Sequence, residues 1–152
     1  AMQEGRPGVM IMLDIDWFKQ INDTMGHPLG DQVLETLGQA ILAVFPDALS
    51  GRIGGDEFIL YLRSDRDQIN PLSTAGIIEE TNRLMSVWET LRKQKGLTIS
   101  VSASLGAARF PEQGQQFDQL WYHADQALYQ AKAAGRGCLR FSGEKDERLN
   151  GF

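Results

Sequence analysis

The apolar positions along this chain change their spacing several times, and each change marks an element. The run GVMIMLDID (8–16) is continuously apolar until it ends in acids, the pattern of a buried strand that delivers polar groups at its tip. The mixed stretch WFKQINDTMGHPLG follows, closed by Gly26, Pro28 and Gly30. From Asp31 the spacing is helical: Val33, Leu34, Leu37, Ile41, Val44 and Phe45 share a face, and Pro46 ends the segment. The stretch ALSGRIGGDEFILYL (48–62) predicts two strands around Gly54-Gly55. After the loop NPLSTAG, residues 77–96 form an amphipathic pattern stopped by Gly96. LTISVSASLGAARF (97–110) alternates and is β-branched early on, so it predicts a strand. A turn at Pro111 and Gly114 leads to a helix aligning Phe117, Leu120, Trp121, Ala124, Leu128 and Ala131. RGCLRF (136–141) reads as a short last strand.

The order is strand, helices, hairpin, helix, strand, helix, strand. Helices interspersed with an antiparallel hairpin predict an α+β fold, one sheet with helices packed against it. Residues 8–142 are expected to form a single domain. Residues 1–7 read as a cut edge or cloning remnant, and 143–152 as a charged tail or the start of a linker.

Composition narrows the function classes. An apolar fraction of 42% is that of an ordinary globular domain, and the net charge of -5 argues against broad nucleic-acid binding. Cys138 is the single cysteine, so neither an internal disulfide nor a cysteine-based zinc site can form. No stretch approaches the run of about 18 apolar residues that spans a membrane. A cytoplasmic location is expected, in a parent chain that could itself be membrane-anchored.

The chemistry concentrates where strands end. Asp14 and Asp16, two residues apart, point the same way if the strand is still extended there. Asp56 and Glu57, in the glycine-rich turn, reach the same spot if the two strands are neighbours. Such oxygen ligands suit Mg²⁺, which shares its shell with water and substrate phosphate. Taken alone, an Asp-x-Asp pair is ordinarily a solvated strand end. An EF-hand is a poor alternative, because the acids run on into Trp17 and Phe18, and no Walker or dinucleotide-binding loop is present.

Four blocks in order, LDIDWFKQINDTMGHPLGD, RIGGDEF, SASLG and ADQALYQAKAAGRG, give the chain its resemblance. From about Val9 to Phe141 it resembles the GGDEF domains, diguanylate cyclases that join two GTP molecules into cyclic di-GMP. The wording DQALYQAKAAGR and the tail EKDERL are similar to GGDEF domains followed by an EAL phosphodiesterase domain. The resemblance implies a nucleotidyl-cyclase or palm-like central sheet, mostly antiparallel, with a ferredoxin-like core. It also implies a homodimer of domains for catalysis, one GTP per domain, and two Mg²⁺ ions with Mn²⁺ as an alternative.

By the same resemblance, Asp14, the carbonyl of Ile15 and Asp56 are the metal ligands. Asp56 is also the candidate acceptor of the 3'-hydroxyl proton, and Glu57 orients the ligands around it. Gly54 and Gly55 let the substrate lie against the backbone. Asn22 and Asp31 are matched to guanine, with His27 near the base or ribose. Lys19, placed with Asp56 in the catalytic set, shares the triphosphate with Lys132, Arg136 and the main-chain N–H groups of Trp17 and Phe18. Plainer readings stand beside these. Asp31 could complement a helix dipole, Lys132 and Arg136 could be cations at a helix end, and Trp17 and Phe18 could simply pack. Trp88 and Trp121 are expected to be packing residues.

Three departures from the family pattern are visible. The inhibitory Arg-x-x-Asp site falls on Phe45 and Ala48, so product feedback through it is expected to be missing. The helix carrying D-x-L-T-G-L-x-N-R, usual ahead of the first strand, is absent from this sequence. The closing GRN is GRG, with Gly137 in place of the amide. The competing functional class is a GTP-binding regulatory domain that controls an attached phosphodiesterase.

Overall fold

A computed structural model describes residues 6–63 and 73–143. The expected charged tail, from 144 on, and most of the expected cut edge lie outside the described residues.

Strand β1 (Gly8–Ile15) is buried along its whole length, as its unbroken apolar run requires. It occupies the centre of a five-stranded sheet, flanked by β3 (Glu57–Arg63) and β4 (Ala103–Phe110), both antiparallel to it. The edges are β2 (Leu49–Arg52), antiparallel to β3, and β5 (Leu139–Phe141), parallel to β4. The sheet order is β2-β3-β1-β4-β5.

Each sheet face carries its own core. Val9, Ile11, Leu13 and Ile15 point to the face covered by α2 (His27–Val44) and α3 (Thr74–Gln94). Those two helices are joined where the fully buried Trp88 indole donates to Thr36 Oγ1 at 3.1 Å. Met10 and Met12 point the other way and meet Leu120, Ala124 and Leu128 of α4 (Phe117–Ala133). The approach of α4 is close: a Cβ on Gly106 of β4 would lie only 2.7 Å from Leu128 Cα and nearer still to the Ala124 carbonyl.

Local signals account for the helix ends. Ser73 Oγ accepts from the Gly76 amide at 3.0 Å and starts α3. Gly26, at φ 92, separates α1 (Phe18–Met25) from α2, and Pro28 sits in the first turn of α2. Helix α2 therefore starts four residues before the Asp31 at which its apolar spacing becomes clear. Strand β4 is shorter than the alternating run 97–110. Its partner β1 ends at Ile15, opposite Ala103, and the chain there turns into α1, so residues 97–102 have no strand to pair with. Trp88 and Trp121 both pack into the cores, as expected. Among the described residues no helix is long and apolar enough to cross a membrane.

Candidate active site

The tip of β1 and the turn before β3 come together. Asp14 stands opposite Glu57 in the β1–β3 register, and the Ile15 amide donates to the Asp56 carbonyl at 3.2 Å. Asp14 lies on the sheet face that α4 covers, and Lys132 from the last turn of α4 forms an ion pair with its Oδ2. Asp14 Oδ1 is buried and has no partner.

The Asp56 carboxyl lies within hydrogen-bonding contact of Asp14. Burial, then that contact and the Asp14 charge, push its pKa up from 3.8 to about 7. Two carboxylates this close do not ionise together without a cation. Glu57 is also pushed up, by burial first and then by Asp14, while Lys132 pulls the other way.

Asp16 behaves differently. Asp16 lies just past the end of β1 at Ile15, and its side chain stays on the side of Asp14, reaching Ser104, the residue opposite Asp14 in the β1–β4 register. Its carboxylate accepts from Ser102 Oγ and Ser104 Oγ, each at 2.6 Å, and from the Gly137 amide at 3.0 Å. Its own amide donates to the Ser102 carbonyl at 2.9 Å. Asp16 is thus saturated and ties β1, β4 and the turn after α4 together, and the two acids differ in their partners rather than in the side of the sheet they take. Ser102 and Ser104 were not legible in the sequence as partners of Asp16, and Gly137 stood out only for the amide side chain it lacks. The one available signal was the two-residue spacing of the serines, which puts them on one side of an extended segment.

The other residues matched to substrate lie in the turn after β1, on α1 and α2, and in the turn after α4. Trp17 adopts the left-handed conformation, φ 59, and is 56% exposed. The Arg136 guanidinium stacks on its ring, 4.0 Å from the centroid. Arg136 is not on the helical face of Lys132, because α4 has already ended at Ala133 and Arg136 takes φ 65 in the turn beyond. Phe18 is buried in the α2–α3 core, so its side chain packs. Lys19 is exposed on α1.

Asn22 Oδ1 is buried without a partner, and Gly30 is the residue that leaves it room: a Cβ there would strike it. His27 and Asp31 are exposed on α2, which follows. Asp31 is the fifth residue of that helix and lies beyond its first turn, which removes the dipole explanation for it. At Gly55 a Cβ would meet nothing within 4 Å, and φ is not positive there. The protein's own packing therefore does not demand glycine at that position.

Comparison with known proteins defines the family. The profile described as "Diguanylate cyclase, GGDEF domain" matches residues 1–138, and the chain belongs to that family. It is 37% identical over 134 residues to the diguanylate cyclase DgcS of Shewanella oneidensis, covering 88% of this chain and 42% of that protein. It is 34% identical over 138 residues to the cyclic di-GMP phosphodiesterase NbdA of Pseudomonas aeruginosa, covering 90% of this chain and 17% of that one. The chain thus spans less than half the length of either relative. The solved GGDEF domain of TpbB (YfiN) from Pseudomonas aeruginosa superposes with a TM-score of 0.79 at 30% identity, over 93% of this chain and 83% of that one.

The family implies use of a divalent metal, and the residues present fit one. A buried orphan oxygen on Asp14, a second carboxyl held against it, and an ammonium already drawn to the pair are the marks of a cation site. Among the described residues no cluster of three or more His, Cys, Asp or Glu forms a cage. An ion that takes the rest of its shell from water and substrate phosphate needs none.

Proposed function

We propose that this domain is a diguanylate cyclase: two copies, each holding one GTP and Mg²⁺, condense two GTP into cyclic di-GMP and two pyrophosphates. The observation that carries this reading is the meeting of Asp14 and Asp56 at the β1 tip, with one buried oxygen left unpartnered.

Asp14, the Ile15 carbonyl and Asp56 would hold the ions, two in number. Bound there, divalent cations neutralise charge on the reacting phosphate and the departing pyrophosphate. Asp56 takes the proton of the 3'-hydroxyl as that oxygen bonds to the α-phosphorus of the facing GTP and the bond to pyrophosphate breaks. Glu57, beside Asp14, orients these carboxyls. Lys132, released from Asp14, joins Lys19 and Arg136 on the triphosphate, with the Trp17 ring holding the Arg136 guanidinium in place. The Trp17 and Phe18 amides add donors, and Gly54 and Gly55 let the substrate lie along the turn. Asn22 offers an acceptor to the guanine N–H edge, joined by Asp31, with His27 next to them. Adenine cannot satisfy that pairing.

Each domain supplies one reacting GTP, so two must face each other across a twofold axis. Incubation with GTP and Mg²⁺ should yield cyclic di-GMP at a rate per molecule that rises with protein concentration. Asp56→Ala should lower it at least about 100-fold, the scale of a lost proton acceptor. An unchanged rate in that variant refutes the role given to Asp56.

A second reading has one observation behind it: NbdA, a relative of similar identity, is named a phosphodiesterase. In that reading the domain binds GTP and regulates an attached EAL domain. Saturable GTP binding without turnover at any protein concentration would select it.

A further inference from the structure

Two turns that lie 121 positions apart in the sequence meet side by side: the one that leads from β1 into α1 and the one after α4. Asp16 Oδ2 accepts from the Gly137 amide at 3.0 Å and from Ser102 Oγ at 2.6 Å, while Oδ1 accepts from Ser104 Oγ at 2.6 Å. The next residue on one turn and the preceding residue on the other form a second rung. There the Arg136 guanidinium lies 4.0 Å from the centroid of the Trp17 ring. Trp17 and Arg136 take φ 59 and φ 65, and they are the two non-glycine residues with positive φ among the described residues. Side chains disfavour that conformation, which persists only where the surroundings hold it. The bond from Asp16 to Gly137 stands beside both residues and ties their turns together.

Asp16 itself is 4% exposed and has its oxygens occupied, so it has nothing to offer a ligand directly. Arg136 is different. It is only half-buried, and among the described residues no acid forms an ion pair with it. An aromatic face orients the guanidinium while its donors stay open, the arrangement of an anion receptor rather than of a structural ion pair.

We propose that Asp16 is a positioning residue for the nucleotide triphosphate: by anchoring the Gly137 amide it sets Arg136 on the Trp17 ring before the nucleotide arrives. The identity of the ligand rests on the GTP site proposed for the β1 tip. Holding the guanidinium in advance lowers the ordering cost that a free arginine carries when it binds. The anchor takes only the main-chain N–H at 137, so the amide side chain lacking there is not needed for it. Asp16 thus acts through Arg136, whereas Asp14, two residues earlier, acts on the metal.

The test reads the stack and its consequence separately in the whole chain. Without nucleotide, the Trp17 ring current should shift the Arg136 side-chain protons upfield in NMR spectra, and Asp16→Ala should erase that shift. Calorimetry then uses Mg²⁺ with 3'-deoxy-GTP, which lacks the reacting hydroxyl and cannot condense. Asp16→Ala should weaken its binding at least about tenfold, the scale of a charge-assisted contact. In an Arg136→Ala background the same change should cost no further affinity, because Asp16 acts through that side chain. A merely structural Asp16 would weaken binding equally in both backgrounds. Ser102 is exposed, so Ser102→Ala keeps the test open where Asp16→Ala does not fold. It removes one donor from Asp16 and should reduce the shift and weaken binding about threefold. A shift that survives Asp16→Ala, an affinity unchanged in either variant, or additive losses in the Arg136→Ala background would each overturn the proposal. Absence of binding in the parent chain would overturn the GTP reading and the ligand assigned here with it, so the two failures are told apart by which protein shows them.

Discussion

Asp14 and Asp16 are the same residue type, two positions apart, and do opposite work. Asp16 has every oxygen satisfied by neighbours, while Asp14 keeps one oxygen bare next to a second acid. The sequence shows the pair but not this division, because it depends on Ser102, Ser104 and the Gly137 amide, which the fold brings to Asp16 from distant parts of the chain. Asp56 and Glu57 were legible as acids in a turn, and their meeting with Asp14 needed only that the two strands be neighbours. The consequence can be measured through pH. In metal-free protein Asp56 keeps its proton up to about pH 7, whereas its ordinary value is 3.8. The folded chain then binds more protons than the unfolded one across that interval. The stability this group contributes is present below the ordinary value and is lost as pH rises towards 7. Thermal melts in EDTA from pH 4 to 8 should show that loss. Asp56→Asn should flatten it and melt higher than the parent at pH 7. Equal slopes in the two proteins would mean that the carboxyls do not confront each other.

Elements were more readable than their limits. The apolar run of β1, the GG turn and the amphipathic faces of α2, α3 and α4 all appear where the spacing puts them. The errors fall where an element depends on a partner. Residues 97–102 alternate like a strand, yet β1 has already turned away, and tertiary context overrides the local pattern. Helix α2 begins before its apolar face does, because Gly26 and Pro28 set its start. Arg136 looked helical beside Lys132 but stands in the turn after α4. The seating of α4 on β4 is equally invisible in the letters, although it decides where Lys132 arrives. Gly106 permits that seating by leaving backbone against backbone. Gly106→Ala should cost about 1–3 kcal/mol, the usual range for overpacking a filled interior. Urea unfolding would check it, and an unchanged midpoint would show that α4 is free to step back.

At the scale of the whole molecule, one sheet with a separate core on each face fixes a single functional end. β1 crosses the centre, delivers Asp14 at its tip, and leads directly into α1, which carries Lys19 and Asn22. The hairpin brings Asp56 from one side and α4 brings Lys132 from the other. Family membership was legible from four separated blocks, and the family profile spans residues 1–138. The departure at the Arg-x-x-Asp position also has a structural counterpart. Phe45 is buried in the core and Ala48 packs against it, so neither position carries a charge for a product to bind. What the letters could not reveal is the burial of Arg92 against the Trp88 ring, since an arginine near a helix end ordinarily reads as a solvated cation.

The central claim is that Asp14 and Asp56 jointly hold a divalent cation beside GTP. Mn²⁺ added in trace amounts with GTP broadens NMR signals near the ion, and it can be mapped onto the amides one by one. Broadening centred on residues 14–16 and 55–57, and lost in Asp14→Asn, is the predicted result. Broadening centred elsewhere, or unchanged in that variant, would contradict the account.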